Sequence, residues 1–299
     1  MSGGTVVAVV LTHDGGPLAI DCLRSLQSTS WPDFRLVLVD NASTDGTADA
    51  VAEEFKEVEI VRSAENRGYA GGNNLGFEHA LAGPCDYVLV LNDDTLVEDD
   101  AIARLVGAMG DGVGAAAPLI TYEMRRDLVW YAGATYDPRR PHPGRMSHYR
   151  RPVDEVPRGG LTDRFSGAAV LLSRTVIDTV GGFDDGLHFL YEDVDLSLRI
   201  RAAGLAIVFV PEAIVRHKVA MTQGGEHSPL SFYYGVRNEL VVADRYAPTS
   251  RLRRTLRSSI ALADFALRLR HARRRWECAK ALAAGHRDYR RGHTGPWRA

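Results

Sequence analysis

The 299-residue sequence predicts an α/β protein: an open, mostly parallel central sheet flanked by helices, followed by a basic helical tail. Three observations predict it. Several runs are short, nearly all apolar and rich in β-branched residues, helical-period segments separate them, and polar or glycine-rich turns close them. A strand covered on both faces reads as a continuous apolar run rather than an alternating one. Strands that alternate with helices at short spacing build an open sheet of nucleotide-binding type.

The elements follow in order. TVVAVVLT (5–12) is the first strand, and HDGGP (13–17) a turn. Residues 18–29 place Leu18, Cys22, Leu23 and Leu26 at helical spacing. FRLVLVDN (34–41) is the second strand, 47–55 a second helix and VEIVRS (58–63) a third strand. NRGYAGGNN (66–74) holds too many glycines for a stable helix in its first half, so Asn73 or Asn74 is expected to open the helix that follows. CDYVLVLNDD (85–94) is the fourth strand, ending in a carboxylate pair. After a strand at 113–120, residues 121–160 are rich in Arg, Pro, Tyr and His with weak periodicity, which reads as irregular strands and loops over the site. A strand at 168–173, a helix at 192–203 ended by Gly204, a strand at 205–210 and a helix at 228–246 complete the body. The body divides into a nucleotide-binding half (1–120) and an acceptor-side half (121–247), with 248–299 as the helical extension.

Composition narrows the function. No run of eighteen apolar residues occurs, so no spanning helix is expected. The N-terminal segment lacks a basic region before its apolar run, unlike a signal peptide. Cys22, Cys85 and Cys278 are widely spaced and read as reduced, buried thiols of a cytoplasmic protein. Residues 1–249 hold 22 basic and 35 acidic side chains, whereas 250–299 hold 14 and 3. An acidic body is a poor nucleic-acid binder. In the tail, Leu252, Leu256, Ile260, Ala263 and Leu267 recur at helical spacing among arginines. Such a helix either lies on an anionic membrane face or packs on the body with its arginines solvated or paired.

The residues able to do chemistry cluster at strand ends. Asp40 closes the second strand, where ligands of an α/β sheet collect; its carboxylate can accept from a pyrimidine N3–H or a ribose hydroxyl, or cap the turn. Asp45 reads as turn and cap chemistry. Asp93 and Asp94 point to opposite sides if the backbone is extended. One then reaches a ribose or phosphate oxygen, and the other a divalent cation that neutralises a departing diphosphate. Mg²⁺ or Mn²⁺ suits that oxygen-rich site. Glu192, Asp193 and Asp195 open an amphipathic helix, a favourable place for acids in any protein, and Asp195 turns away from Asp193. A carboxylate there can serve as a general base on an attacking hydroxyl. His217, after the 207–210 run and a short connector, is an acceptable N ligand in a mixed N/O shell. No GxGxxG follows the first strand, no Walker motif occurs, and no H-x-x-x-H or G-x-S-x-G frame supports a zinc or serine hydrolase.

Together VVLTHDG, LVLVDNASTDGT, NRGYAGGNNLG, YVLVLNDDT, FSGAAVLLSR, GGFDDGLHFLYEDVDLSLRIRAAG and the late His217 resemble an inverting, metal-dependent glycosyltransferase of family 2 with the GT-A fold. FYYGVRN at 232–238 makes the chain most similar to the bacterial rhamnosyltransferase-like branch. The resemblance implies that Thr12 and Asp40 line the nucleotide pocket, which the glycine-rich tract with Asn73 is also expected to approach. It places Asp93 near the ribose, Asp94 and His217 on Mg²⁺ or Mn²⁺, Asp193 as catalytic base and Glu192 beside the substrate. Asn92 stands where the family has an aspartate. The implied donor is dTDP-L-rhamnose or a UDP-sugar, since thymine and uracil both present N3–H. The implied acceptor is a saccharide or lipid-linked saccharide of the cell envelope, with a soluble metabolite or a peptide left open. Two other readings compete: a nucleotidyltransferase, which usually carries a basic glycine-rich loop that THDGG lacks, and a non-catalytic sugar-nucleotide-binding protein.

Overall fold

The computed structural model describes residues 3–140, 143–156, 158–218 and 227–298, with the Arg145 side chain also left aside; His142 lies outside the described residues. The first half alternates strand and helix: β1 (Val6–Thr12), α1 (Pro17–Gln27), β2 (Phe34–Asp40), α2 (Thr47–Glu54), β3 (Glu59–Arg62), α3 (Gly68–Leu81) and β4 (Tyr87–Asn92). β5 (Thr95–Val97), α4 (Ala101–Gly107), β6 (Val113–Tyr122), β7 (Arg125–Tyr131), β8 (Ala134–Tyr136), β9 (Gly144–Met146) and β10 (Gly160–Leu161) follow. The remainder is β11 (Ala169–Ser173), α5 (Arg174–Val180), α6 (Glu192–Ala202), β12 (Ala206–His217), α7 (Pro229–Tyr246), α8 (Arg251–Arg268) and α9 (Arg275–Arg291).

The sheet runs β10-β12-β6-β11-β4-β1-β2-β3, with β5 on β12 and β7 on β6. β3, β2, β1 and β4 are mutually parallel, and β6 is parallel to β12. β11 runs antiparallel between the two parallel blocks. Val6–Val10 of β1 and Val88–Leu91 of β4 are fully buried, as all-apolar strands covered on both faces should be. Because β1, β2 and β4 point the same way, Thr12, Asp40 and Asn92 finish at one edge.

Three expectations need correcting. The glycine-rich tract is helical from Gly68 onward. Its glycines are there for contact: a Cβ on Gly72 would collide with Leu11, and one on Gly76 with Val9. Close packing of α3 on β1 therefore outweighs the ~1 kcal/mol that each glycine costs a helix. Asp93 and Asp94 are not on extended backbone; they form the tight turn joining β4 to β5. Finally, β12 does not stop at Val210. A register shift between Val210 and Ile214 absorbs Pro211, and the strand resumes to His217.

Beyond the sheet, α7, α8 and α9 share an apolar core that includes Phe232, Tyr233, Phe265, Cys278 and Leu282. α9 approaches α7 so closely at Gly285 that any Cβ there would strike the Tyr233 carbonyl. All three cysteines are free and buried. Burial pushes the Cys22 thiol up to about 12, so it stays protonated. Among the described residues, no helix is long and apolar enough to cross a membrane.

Candidate active site

The acidic turn after β4 is held from three sides. Thr12, at the end of β1 and buried, donates its hydroxyl to Asp93 Oδ2 at 2.6 Å. β5 pairs antiparallel with β12 so that His217 lies opposite Thr95. That register sets His217 Nε2 2.9 Å from Asp94 Oδ1, both groups buried. Lys218 N donates to the Asp94 carbonyl at 2.9 Å. Gly15 lies against the same turn: a Cβ there would overlap Asp93 Oδ2 and Thr12 Oγ1.

The Asp94–His217 pair fits a divalent cation. Neighbouring ligand atoms of an octahedral ion with bonds of ~2.1 Å lie about 3 Å apart, which matches their separation. His217 Nδ1 is buried without a partner among the described residues, so no neighbouring acceptor there fixes its tautomer. Two protein ligands leave room for diphosphate oxygens and water. No group of three or more His, Cys, Asp or Glu suited to a metal occurs among the described residues.

Burial, and secondarily the neighbouring Asp94 charge, push the Asp93 carboxyl up to about 7 against the hydrogen bond from Thr12. A raised folded-state pKa holds stability below the unfolded value of ~3.9 and loses it as pH rises through about 7. Metal-free Asp93→Asn should therefore melt above the wild type at pH 8–9, by up to about 4 kcal/mol. The gap should narrow toward pH 5. Thermal melts in chelator across that range check it; a gap independent of pH would contradict it.

Asp40 is buried, and one of its oxygens accepts from Ser43 N at 2.9 Å, so it caps the turn that follows β2. Asp45 accepts from Thr47 N and Oγ1, as cap chemistry predicts. Asn73 is wholly buried within α3: its Nδ2 donates to the Tyr69 carbonyl, and its Oδ1 has no partner among the described residues.

Asp193 lies in the first turn of α6 and faces a cavity of about 480 Å³. Gly167 N donates to its Oδ2 at 3.2 Å, and Arg164 Nη1 sits 3.5 Å from the same oxygen. The 166–168 turn ties this carboxylate to the sheet. Ala168 O accepts from Asn92 N, and Tyr69 Oη donates to the Gly167 carbonyl at 2.5 Å. Trp130, on the cavity wall, packs edge-on against His217 with centroids 4.5 Å apart. The cavity thus adjoins the Asp94–His217 pair. Trp130 Nε1, Tyr136 Oη and Arg164 Nε on its wall are buried without partners among the described residues. Buried polar atoms left unpaired point to a polar ligand.

Glu192 is buried beside Asp193 but is not part of that wall. Burial, then the Asp193 charge, hold its carboxyl well above the usual range. Asp195 does turn away. It is fully buried and receives Arg199 at 2.8 Å, Arg245 at 2.5 Å and the Tyr246 hydroxyl at 2.9 Å, which locks α6 to α7.

The FYYGVRN tract supports the loop before α6. His188, Leu190 and Tyr191 have φ of 64°, 65° and 71°, a costly conformation for side-chain-bearing residues. Asn238 Nδ2 lies within 2.9 Å of the Leu187, Phe189 and Leu190 carbonyls. The buried Arg237 donates to the Gly186, Leu187 and Gly295 carbonyls. Asn238→Leu keeps the branched shape but strands the Phe189 and Leu190 carbonyls, while Leu187's keeps Arg237, so about 1–3 kcal/mol of stability should be lost. Chemical denaturation measures it, and an unchanged midpoint would count against the clamp.

Similarity to known proteins agrees with this geometry. Residues 7–181 match the family model for Glycosyl transferase family 2. The N-acetylglucosaminyl-diphospho-decaprenol L-rhamnosyltransferase of Mycobacterium tuberculosis is 30% identical over 295 residues, spanning 89% of this chain and 95% of the relative. Two solved structures share the fold. The mannosyltransferase PcManGT from Pyrobaculum calidifontis, in complex with GDP-Man and Mn²⁺, has a TM-score of 0.58 at 17% identity, covering 96% of this chain and 87% of that one. S. aureus TarS 1–349 with UDP-GlcNAc has a TM-score of 0.60 at 11% identity, covering 97% and 92%. The fold is therefore GT-A and the protein a glycosyltransferase. The chain belongs to Glycosyl transferase family 2.

Proposed function

We propose that the protein transfers L-rhamnose from dTDP-L-rhamnose to a hydroxyl of a lipid-linked saccharide, with inversion at the anomeric carbon. The observation that carries this reading is the juxtaposition of two sites. A cation-compatible Asp94–His217 pair adjoins, through Trp130, a cavity that holds Asp193. The similar rhamnosyltransferase supports the donor and the lipid-linked acceptor.

Asp193 takes the proton of the acceptor hydroxyl as its oxygen bonds to the anomeric carbon. The bond from that carbon to the diphosphate breaks, and its electron pair stays on the diphosphate. Gly167 N and Arg164 hold the base in place. The unpaired donors of Trp130, Tyr136 and Arg164 suit sugar hydroxyls. Asp40, at the β2 end, would meet the pyrimidine. Asp94 and His217 would hold Mg²⁺ or Mn²⁺, which when bound supplies charge neutralisation to the leaving diphosphate. The enzyme would work in the cytoplasm, against the inner face of the membrane.

Binding calorimetry with dTDP-L-rhamnose and UDP-glucose, each with and without Mn²⁺, tests the donor. The expected result is metal-dependent binding of the dTDP sugar, at least about tenfold tighter than the UDP sugar, a difference of ~1.4 kcal/mol. Preference for UDP-glucose would overturn the rhamnosyl donor and favour the second reading, a UDP-sugar donor. That reading draws on the UDP-GlcNAc bound by a protein of the same fold.

A further inference from the structure

The tail packs on the body and still leaves an apolar face uncovered. α8 buries Ser258, Ala261 and Phe265 against its neighbours. At 100° per residue these occupy one side, and Leu252, Leu256, Ile260, Ala263 and Leu267 form a stripe along another. Leu252, Leu256 and Leu267 are 80%, 59% and 64% exposed. So large an aliphatic stripe on one helix calls for a covering surface.

Charge along one edge of the stripe indicates what that surface is. Leu256 and Ile260 help line a groove of about 610 Å³ that also collects Arg139, Arg140, Arg253 and Arg257. Arg140 lies 3.5 Å from Asp137, and Arg257 lies 3.2 Å from Asp244. Arg139 and Arg253 make no ion pair among the described residues. Aliphatic side chains beside uncompensated arginines match the acyl–headgroup boundary of a bilayer containing anionic lipid. Farther along the helix, Asp264, Phe265 and Arg268 form part of the wall of the Asp193 cavity.

We infer that the outer face of α8 is a docking surface for an anionic lipid bilayer, with the arginine groove taking headgroup phosphates. Docking by this face sets the Asp193 cavity at the bilayer boundary, where a lipid-linked acceptor presents its saccharide. That role rests on the proposed acceptor; the surface itself does not.

Co-sedimentation with phosphatidylcholine vesicles, with and without a third of phosphatidylglycerol, tests it on the full chain without donor or acceptor. The wild type should sediment with the anionic vesicles, less so at high salt. L252S/L256S/L267S should weaken binding by at least about tenfold. R139E/R253E should lose the preference for anionic lipid, and because both residues are exposed it keeps the test decisive if the triple variant misfolds. The inference is overturned if the wild type ignores anionic vesicles or if neither variant changes sedimentation. It is also overturned if free inorganic phosphate alone abolishes binding, or if sedimentation velocity shows the stripe joining two copies of the chain. Calorimetric donor binding on the same samples keeps the two readings separate: a protein that docks but does not bind dTDP-L-rhamnose refutes the proposed rhamnosyl donor and leaves the surface standing.

Discussion

Asp193→Asn is expected to lower kcat by about 10²–10⁴-fold, the usual contribution of a general base, with donor affinity unchanged. The substitution keeps the side chain's shape, and its oxygen can still accept from Gly167 N, which approaches Asp193 at 3.2 Å. What it removes is the capacity to take a proton from the acceptor while the new bond forms. Loss in kcat with donor binding retained is the signature of an interaction made in the transition state. Single-turnover kinetics with calorimetric donor binding separates the two quantities. Near wild-type turnover would remove Asp193 from the role of base, and parallel loss of donor binding would make it a structural residue of α6.

Asp94→Ala should abolish metal-dependent donor binding. Several kcal/mol of charge stabilisation are at stake, which corresponds to at least about 100-fold in affinity. The effect reaches past one ligand, because His217 Nε2 has Asp94 Oδ1 as its neighbour at 2.9 Å and would be left alone in a buried site. Mn²⁺ binding followed by paramagnetic resonance, in the presence of the nucleoside diphosphate, reads this without turnover. His217→Ala should weaken the ion less, since a carboxylate carries the compensating charge. Unchanged Mn²⁺ binding in Asp94→Ala would move the cation site elsewhere.

The parts of this molecule legible from its sequence are those governed by local rules. All-apolar runs became buried parallel strands, and their C-terminal residues Thr12, Asp40 and Asn92 converge because parallel strands end together. Asp193 and Asp195 diverge as neighbouring helical positions must, one toward the cavity and the other into a clamp of two arginines and a tyrosine. What was hidden depends on distant partners. Helix α3 begins five or six residues earlier than propensity predicts because Leu11 and Val9 leave no room for side chains. Gly15 gave a turn signal, but its closeness to Asp93 comes from the β1–β4 alignment. Trp130, Tyr136 and Arg164 lie in the segment read as irregular, or just beyond it, where no periodicity marks which side chains converge. Their unpaired buried atoms are the signal, and it exists only in three dimensions.

The carbonyl clamp on the 186–190 loop has a consequence for how the enzyme is made. Arg237 reaches its loop partners across 50 and 51 residues and Gly295 across 58. Gly295 N in turn donates to the Gly186 carbonyl at 2.7 Å. About a hundred residues separate Asp193 from that last contact, some 5–20 s of translation at ~5–20 residues per second. The nascent sheet can therefore assemble well before the loop leading into α6 and Asp193 is secured. Maturation of catalytic competence then lags behind maturation of the fold, and the window between them is where a chaperone or a nearby bilayer would meet an unfinished enzyme.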